Sequence, residues 1–103
     1  MTGREVGARA RLMLGEIKFQ RGDHTAAIRD FFKVFRTDYP DAPESFNRWK
    51  AQAEYEAARC FEVLKKSDQA VKYYQEVVDH YPKSQVAPLA RKRVEALKST
   101  SGE

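Results

Sequence analysis

The sequence writes one pattern twice. "GDHTAAIRDFFKVFRTDYP", residues 22–40, runs from a Gly-Asp turn signal through an apolar-periodic segment to a Tyr-Pro stop. "KSDQAVKYYQEVVDHYP", residues 66–82, does the same. With a shift of 43 residues, Gly15 falls on Ala58, Ala27 on Ala70, Phe31 on Tyr74 and Val34 on Val77. Tyr39-Pro40 meets Tyr81-Pro82 with a slip of one. Each matched position has a physical job. Small residues let paired helices approach, large aromatic ones fill the space between pairs, and the prolines end each unit.

Five helices are expected. The first covers about Glu5 to Arg21, with Val6, Ala10, Met13 and Ile17 on one face at steps of four and three. Gly22 can stop it, because glycine takes positive φ cheaply. Asp23 can then cap a second helix that runs to about Thr37, with Ala27, Ile28, Phe31, Val34 and Phe35 inward. Pro40 ends that helix. A third, from about Ala42 to Leu64, begins at a capping box of Asp41 and Glu44 with Pro43 in its first turn. Phe46, Trp49, Ala53, Ala57, Cys60 and Leu64 form its stripe. Ser67 is placed to cap the fourth helix, whose stripe is Ala70, Tyr74, Val77 and Tyr81, and Pro82 stops it. Ser84 is placed to cap the fifth, with Val86, Ala90, Val94 and Leu97 on one face. Short connections make neighbouring helices antiparallel. One domain over residues 1–103 follows: two antiparallel helical hairpins and a C-terminal capping helix. The first unit spans about 8–40, the second about 41–82 and the cap about 84–98.

These residues resemble the tetratricopeptide repeat (TPR), a helix–turn–helix unit of about 34 residues. "LGEIKFQRGDHTAAIRDFFKVF" carries the family's Leu-Gly, aromatic, Gly-Asp turn, Ala and large aromatic in order. "EAARCFEVLKKSDQAVKYYQEVV" is a weaker copy, and "HYPKSQVAPLARKRVEAL" looks like the start of a third unit. The Tyr-Pro-x-Ser ending is similar to a bacterial subgroup found in cell-envelope and Tol-Pal-associated proteins. The resemblance implies an all-α, TPR-like α-solenoid. A lone hairpin cannot bury its apolar face, so two hairpins and a closing helix share one core. The sequence departs from the family in three ways. Arg11 and Glu54 stand where tryptophan is expected, Lys65 replaces the second turn glycine, and the repeat shift exceeds 34 because the third helix is extended.

The resemblance also implies function: a non-catalytic scaffold or adaptor whose concave groove holds a partner peptide or helix. Carried over by position, the groove is lined by Leu12, Glu16, Phe19 and Gln20 of the first helix and by Tyr55, Arg59 and Glu62 of the third. Phe19 and Tyr55 are the apolar anchors, and Arg59 can pair with a partner carboxylate. The Lys and Asn set with which chaperone-binding repeats clamp a terminal carboxylate is not found at the matching positions. A second contact is expected at Phe46, Arg48 and Trp49, which the extension should make protrude. That surface suits self-association into a homo-oligomer.

No catalytic pattern competes with this reading. Cys60 is the only cysteine and lies on an apolar stripe, which fits a small buried residue better than a nucleophile. His24 and His80 are too scattered to join it as metal ligands. Glycines are isolated, so no phosphate-binding loop exists, and no cofactor is expected. Glu54, Glu56, Glu62 and Glu76 read as solvated carboxylates in a chain that is 33% charged. The net charge of +4 concentrates at both ends, at +3 over residues 1–40 and +3 over 83–103, with −2 between. Arg91, Lys92, Arg93 and Lys98 raise a nucleic-acid reading. With no aromatic residues interleaved to stack bases, a solvated cap is favoured. No run approaches the ~18 apolar residues of a membrane span. The charged N-terminus is no secretory signal, which points to the cytoplasm, or to the periplasm or envelope for a piece of an exported protein.

Overall fold

A computed structural model describes residues 3–36 and 46–101. These residues form five helices: α1 (Gly3–Gln20), α2 (His24–Phe35), α3 (Asn47–Val63), α4 (Ser67–His80) and α5 (Ala87–Ser101). Each helix packs on the next in chain order, and α1 also touches α3. Connections of three residues join α1 to α2 and α3 to α4, which forces each pair into an antiparallel hairpin. The expected all-α repeat architecture is therefore present. The Pro40 stop and the Asp41–Glu44 capping box lie outside the described residues.

The turns follow from local chemistry. Gly22 adopts φ of 85° and ends α1. Asp23 accepts a hydrogen bond from the Ala26 N–H at 3.3 Å, relieving one unpaired donor at the start of α2. At the equivalent turn of the second hairpin Lys65 takes φ of 65°, the left-handed conformation that sequence reasoning assigned to a glycine. A side chain there costs about 1–2 kcal/mol. Lys65→Gly should therefore raise stability by about 1 kcal/mol, once the extra chain entropy of glycine is allowed for. A urea unfolding midpoint unchanged or lowered by the substitution would refute that account. Ser67 and Ser84 do not cap. Ser67 is the first residue of α4, whose N-cap is Lys66 without a side-chain hydrogen bond. The Ser84 hydroxyl is buried without a partner, and its carbonyl accepts from the Ala87 N–H instead.

The core is continuous from α1 to α5. Its tightest point is between α1 and α2, where a Cβ added at Gly15 would lie 2.5 Å from the fully buried Phe31 ring. At the matching place in the second hairpin, Ala58 and Tyr74 are both fully buried. Between the hairpins sits an aromatic cluster. Phe61 stacks on Tyr73 with centroids 5.3 Å apart, and Phe32 and Phe35 meet Tyr73 edge-on. Arg36 lies over three of these rings. The buried Asp30 ties α2 to α1 by accepting from Lys18 at 2.7 Å, with Arg11 3.7 Å away.

One expected face is reversed. The inward face of α1 is Ala8, Leu12 and Gly15, not Ala10, Met13 and Ile17. Met13, Leu14 and Ile17 are 59, 49 and 43% exposed. The side chain of Val6 is outside the described residues. Both stripes step by four and three, so periodicity alone cannot choose between them. The close approach that only Gly15 permits makes its stripe the packed one.

Candidate functional site

The candidate site is a concave recess of about 460 Å³ where α1, α3, α4 and α5 converge. Phe19 reaches it from the last turn of α1, Tyr55, Arg59 and Glu62 from successive turns of α3, Tyr74 from α4 and Arg93 from α5. Tyr55, Arg59 and Glu62 share one face of α3 because they are spaced by four and three. The recess therefore brings together four of the seven residues expected to line it.

Its geometry is highly paired. Arg59 donates to both oxygens of the buried Glu56 carboxylate at 2.9 and 3.1 Å. Its guanidinium also lies 4.7 Å from the centre of the Phe19 ring, a cation–π contact joining α1 to α3. Burial alone would lower the Arg59 pKa, but the Glu56 hydrogen bonds and charge outweigh it and raise it. Glu62 accepts from the Tyr74 hydroxyl at 2.9 Å and from the Arg93 Nε at 3.2 Å, and also from Arg93 Nη2. Burial pushes the Glu62 carboxyl up, yet the Arg93 and Tyr74 hydrogen bonds prevail and hold it below the usual range. Burial raises the pKa of Tyr74, and its bond to Glu62 raises it further. Tyr55 tilts against Tyr74 with centroids 5.6 Å apart. The result is a floor of aromatic rings with two arginines, each about two-fifths exposed, held in fixed positions by carboxylates.

The remaining expected residues lie elsewhere. Leu12 is 4% exposed and belongs to the core, because it shares the inward stripe with Gly15. Glu16 is half-buried near Glu56 and Arg59. Burial and then the Glu56 charge raise its pKa, placing it at the edge of the same network. Gln20 is exposed and does not line the recess. Phe46 does not protrude: it is 2% exposed and part of the core. Trp49 is half-buried, with Arg9 and Arg48 over its ring at 5.1 and 4.7 Å. The aromatic faces of the extension are thus covered from within the chain.

Sequence reasoning missed Tyr74, Arg93 and Glu56 as parts of the site. Tyr74 was read as pure core filling and Arg93 as part of a solvated basic cap, whereas Arg93 turns inward to Glu62 from 31 positions away. The repeat offers the one available signal, since Tyr74 is the counterpart of Phe31 and carries a hydroxyl that Phe31 lacks. The reading of all four glutamates as solvated is also corrected. Glu54 and Glu56 are 2 and 6% exposed, and Glu62 is bonded to Tyr74 and Arg93. Glu54 does not line this recess. Burial, then the neighbouring Glu76 of α4, push its carboxyl up to about 9.

Cys60 is fully buried, and burial pushes its thiol up to about 12, so it is a poor source of thiolate. Among the described residues no group of three or more His, Cys, Asp and Glu side chains could hold a metal ion. No described helix is long and apolar enough to cross a membrane.

Two hairpins of similar layout, stacked to form a concave face, agree with the comparisons with known families. One family profile described as tetratricopeptide repeat matches residues 3–43 and a second matches residues 52–84. The chain carries tetratricopeptide repeats. The first match takes in α1 and α2, and the second takes in most of α3 with α4. No curated protein and no solved structure matches the chain. Such repeats generally mediate protein–protein interactions and typically serve as non-catalytic scaffolds.

Proposed function

We propose that this repeat domain is a non-catalytic adaptor that holds a segment of a partner protein, extended or helical, in the recess between α1 and α3. The supporting observation is the convergence of Phe19, Tyr55, Tyr74, Arg59 and Arg93 from four helices onto one concavity. The half-buried rings of Phe19 and Tyr55 provide apolar area without the entropy cost of flexible side chains, as binding surfaces require. Arg59 and Arg93 are partly exposed, yet Glu56 and Glu62 hold them in place. They present donors to a partner carboxylate or backbone carbonyl with little ordering left to do. Glu16 and Glu62 set the orientation by disfavouring acidic groups at their own edge. The Tyr81-Pro82-x-Ser84 ending supports placing the domain with the bacterial cell-envelope subgroup.

The test is affinity capture from the source cells with wild-type protein beside Phe19→Ala/Tyr55→Ala. Both rings are half-buried, so the variant's helicity and cooperative unfolding are checked first. The expected result is a partner held by wild type and lost, by about tenfold or more in affinity, with the folded variant. Equal capture by the two proteins would remove the recess as the binding site. Unfolding of the variant would assign both rings to the core instead.

A further inference from the structure

We infer that a cleft between the start of α3 and the α4–α5 turn, separate from the recess, binds a phosphate monoester. Two cavities of about 350 and about 180 Å³ meet there and share Arg48, Lys83 and Ser84. Arg48 and Gln52 reach the cleft from one side of α3, because they are four residues apart. Lys83, Ser84 and Gln85 come from the turn that joins α4 to α5. The Ser84 N–H donates to the Tyr81 carbonyl at 3.0 Å, and the Ser84 carbonyl accepts from the Ala87 N–H at 3.3 Å. The turn is therefore tied on both sides of Ser84 and forms a fixed wall.

Uncompensated positive charge sets this cleft apart. Elsewhere carboxylates take up the cations: Arg11 and Lys18 meet Asp30, Arg36 meets Glu76, Arg59 meets Glu56 and Arg93 meets Glu62. Among the described residues Arg48 and Lys83 form no ion pair, and no acidic side chain lines either cavity. The Arg48 guanidinium lies 4.7 Å from the centre of the Trp49 ring. Stacking holds that group by its face and leaves its N–H edges for a ligand. Asn47, Gln52 and Gln85 add amide donors, and the Ser84 hydroxyl has no hydrogen-bond partner.

Charge and donor count select the anion. A carboxylate offers two oxygens and one charge. A phosphate monoester offers three oxygens and close to two charges at neutral pH. It therefore matches one Arg and one Lys together, the Arg through paired N–H groups and the Lys as a point charge. The amides remain to meet the third oxygen. The larger cavity is also walled by Tyr81 and Pro82, and its volume falls at the small end of the ~300–1,000 Å³ usual for ligand sites. The ligand is thus a small ester whose organic group lies against Tyr81 and Pro82. Its phosphate comes from a free molecule or from a phosphorylated side chain of a partner, and the chemistry at the cleft is the same for both.

The probes are phenyl phosphate, benzyl alcohol and a short peptide with one phosphotyrosine. Each is titrated at about 0.15 M salt, where pairing with isolated surface cations is largely screened. Backbone amide shifts in the NMR spectrum give both the place and the affinity. The proteins compared are wild type, Arg48→Gln/Lys83→Gln, and Arg91→Gln/Lys92→Gln, which removes the same charge from exposed positions on α5. The expected result is saturable binding of phenyl phosphate to wild type and to the α5 variant, with a Kd of about 1 mM or below. Shifts should centre on residues 47–52 and 80–86, and binding should weaken by about tenfold or more in Arg48→Gln/Lys83→Gln. Both substituted side chains are exposed, and the spectrum itself verifies that the variant folds. Tighter binding of the peptide than of phenyl phosphate would support the site and name a phosphorylated partner as the source. Tighter binding of phenyl phosphate would support it and name a free ester. No saturable shift, shifts confined to the recess, or benzyl alcohol binding as well as phenyl phosphate would each overturn the inference. So would equal losses in the two variants, since net charge alone would then account for binding.

Discussion

Replacing Gly15 by alanine should destabilise the domain by about 1–3 kcal/mol, the usual range for overpacking a well-filled core. The substitution has a helix-propensity gain of about 1 kcal/mol working in its favour, so a net loss is diagnostic of the steric effect. The new methyl would lie 2.5, 2.8 and 2.9 Å from three carbons of the Phe31 ring, closer than real Cβ contacts. Phe31 cannot swing away, because it is fully buried. Something larger must move: either α1 separates from α2 or the ring leaves its rotamer. Separation would also stretch the Lys18–Asp30 bond of 2.7 Å and leave a buried carboxylate poorly paired. A double-mutant cycle with Phe31→Leu isolates the contact. Phe31→Leu alone leaves a cavity, and the added methyl partly fills it. The double variant should therefore be more stable than the sum of the two losses predicts, by about 1 kcal/mol or more. Urea unfolding of the four proteins makes the measurement. Strict additivity, or a Gly15→Ala variant at least as stable as wild type, would show that the helices have room to adjust.

The same contact explains what the sequence could and could not reveal. The hairpins, their turns and their small-to-large pairs were legible because they are local or repeat at a fixed shift. Gly22, Asp23 and Lys65 act within one turn of chain, so their chemistry is written beside them. That Tyr55, Arg59 and Glu62 share one face of α3 was legible from their spacing of four and three, and the structure brings them to the same recess. The choice between the two faces of α1 was not legible. Ala8–Leu12–Gly15 and Ala10–Met13–Ile17 both advance by steps of three and four, and the second is the bulkier. Bulk pointed to the wrong stripe, because the deciding interaction is an absence of side chain at Gly15 that matters only once Phe31 is opposite it. Leu12 was assigned to the groove by the same displacement. Arg93 was hidden by distance along the chain: nothing near it in sequence announces that Glu62 will receive it. Ser67 and Ser84 misled because a hydroxyl near a helix start is common, while whether it caps depends on where the backbone begins to turn.

Glu54 is the least legible residue and has the most readily measured consequence. Its neighbours Ala51, Ala58 and Phe61 follow a helical stripe, and that spacing was the available sign that a carboxyl at 54 would be carried into the core. It is 2% exposed, its pKa is governed by burial and by the neighbouring Glu76 side chain, and one of its oxygens has no hydrogen-bond partner. Two carboxyl groups can share a hydrogen bond only if one holds a proton. Burial, then the neighbouring Glu76, raise the Glu54 pKa from 4.5 to about 9, against the lowering effect of Arg36 and Lys50. Arg36 lies 3.6 Å from Glu76 and forms an ion pair with it. The sign of the linkage follows. Between about pH 4.5 and about pH 9 the native state keeps a proton that the unfolded state has released. Stability from this group is therefore complete below the lower value and is lost as pH rises towards the upper one. Glu54→Gln keeps a donor for Glu76 and removes the titration. The variant should match wild type at the acid end and exceed it by about 2 kcal/mol or more at the alkaline end, the scale of a buried group relieved of unpaired charge. Urea unfolding of both proteins across that pH window reads the difference directly. Parallel curves would mean that Glu54 is ionised throughout and paired with Arg36, and that the two carboxyls share no proton.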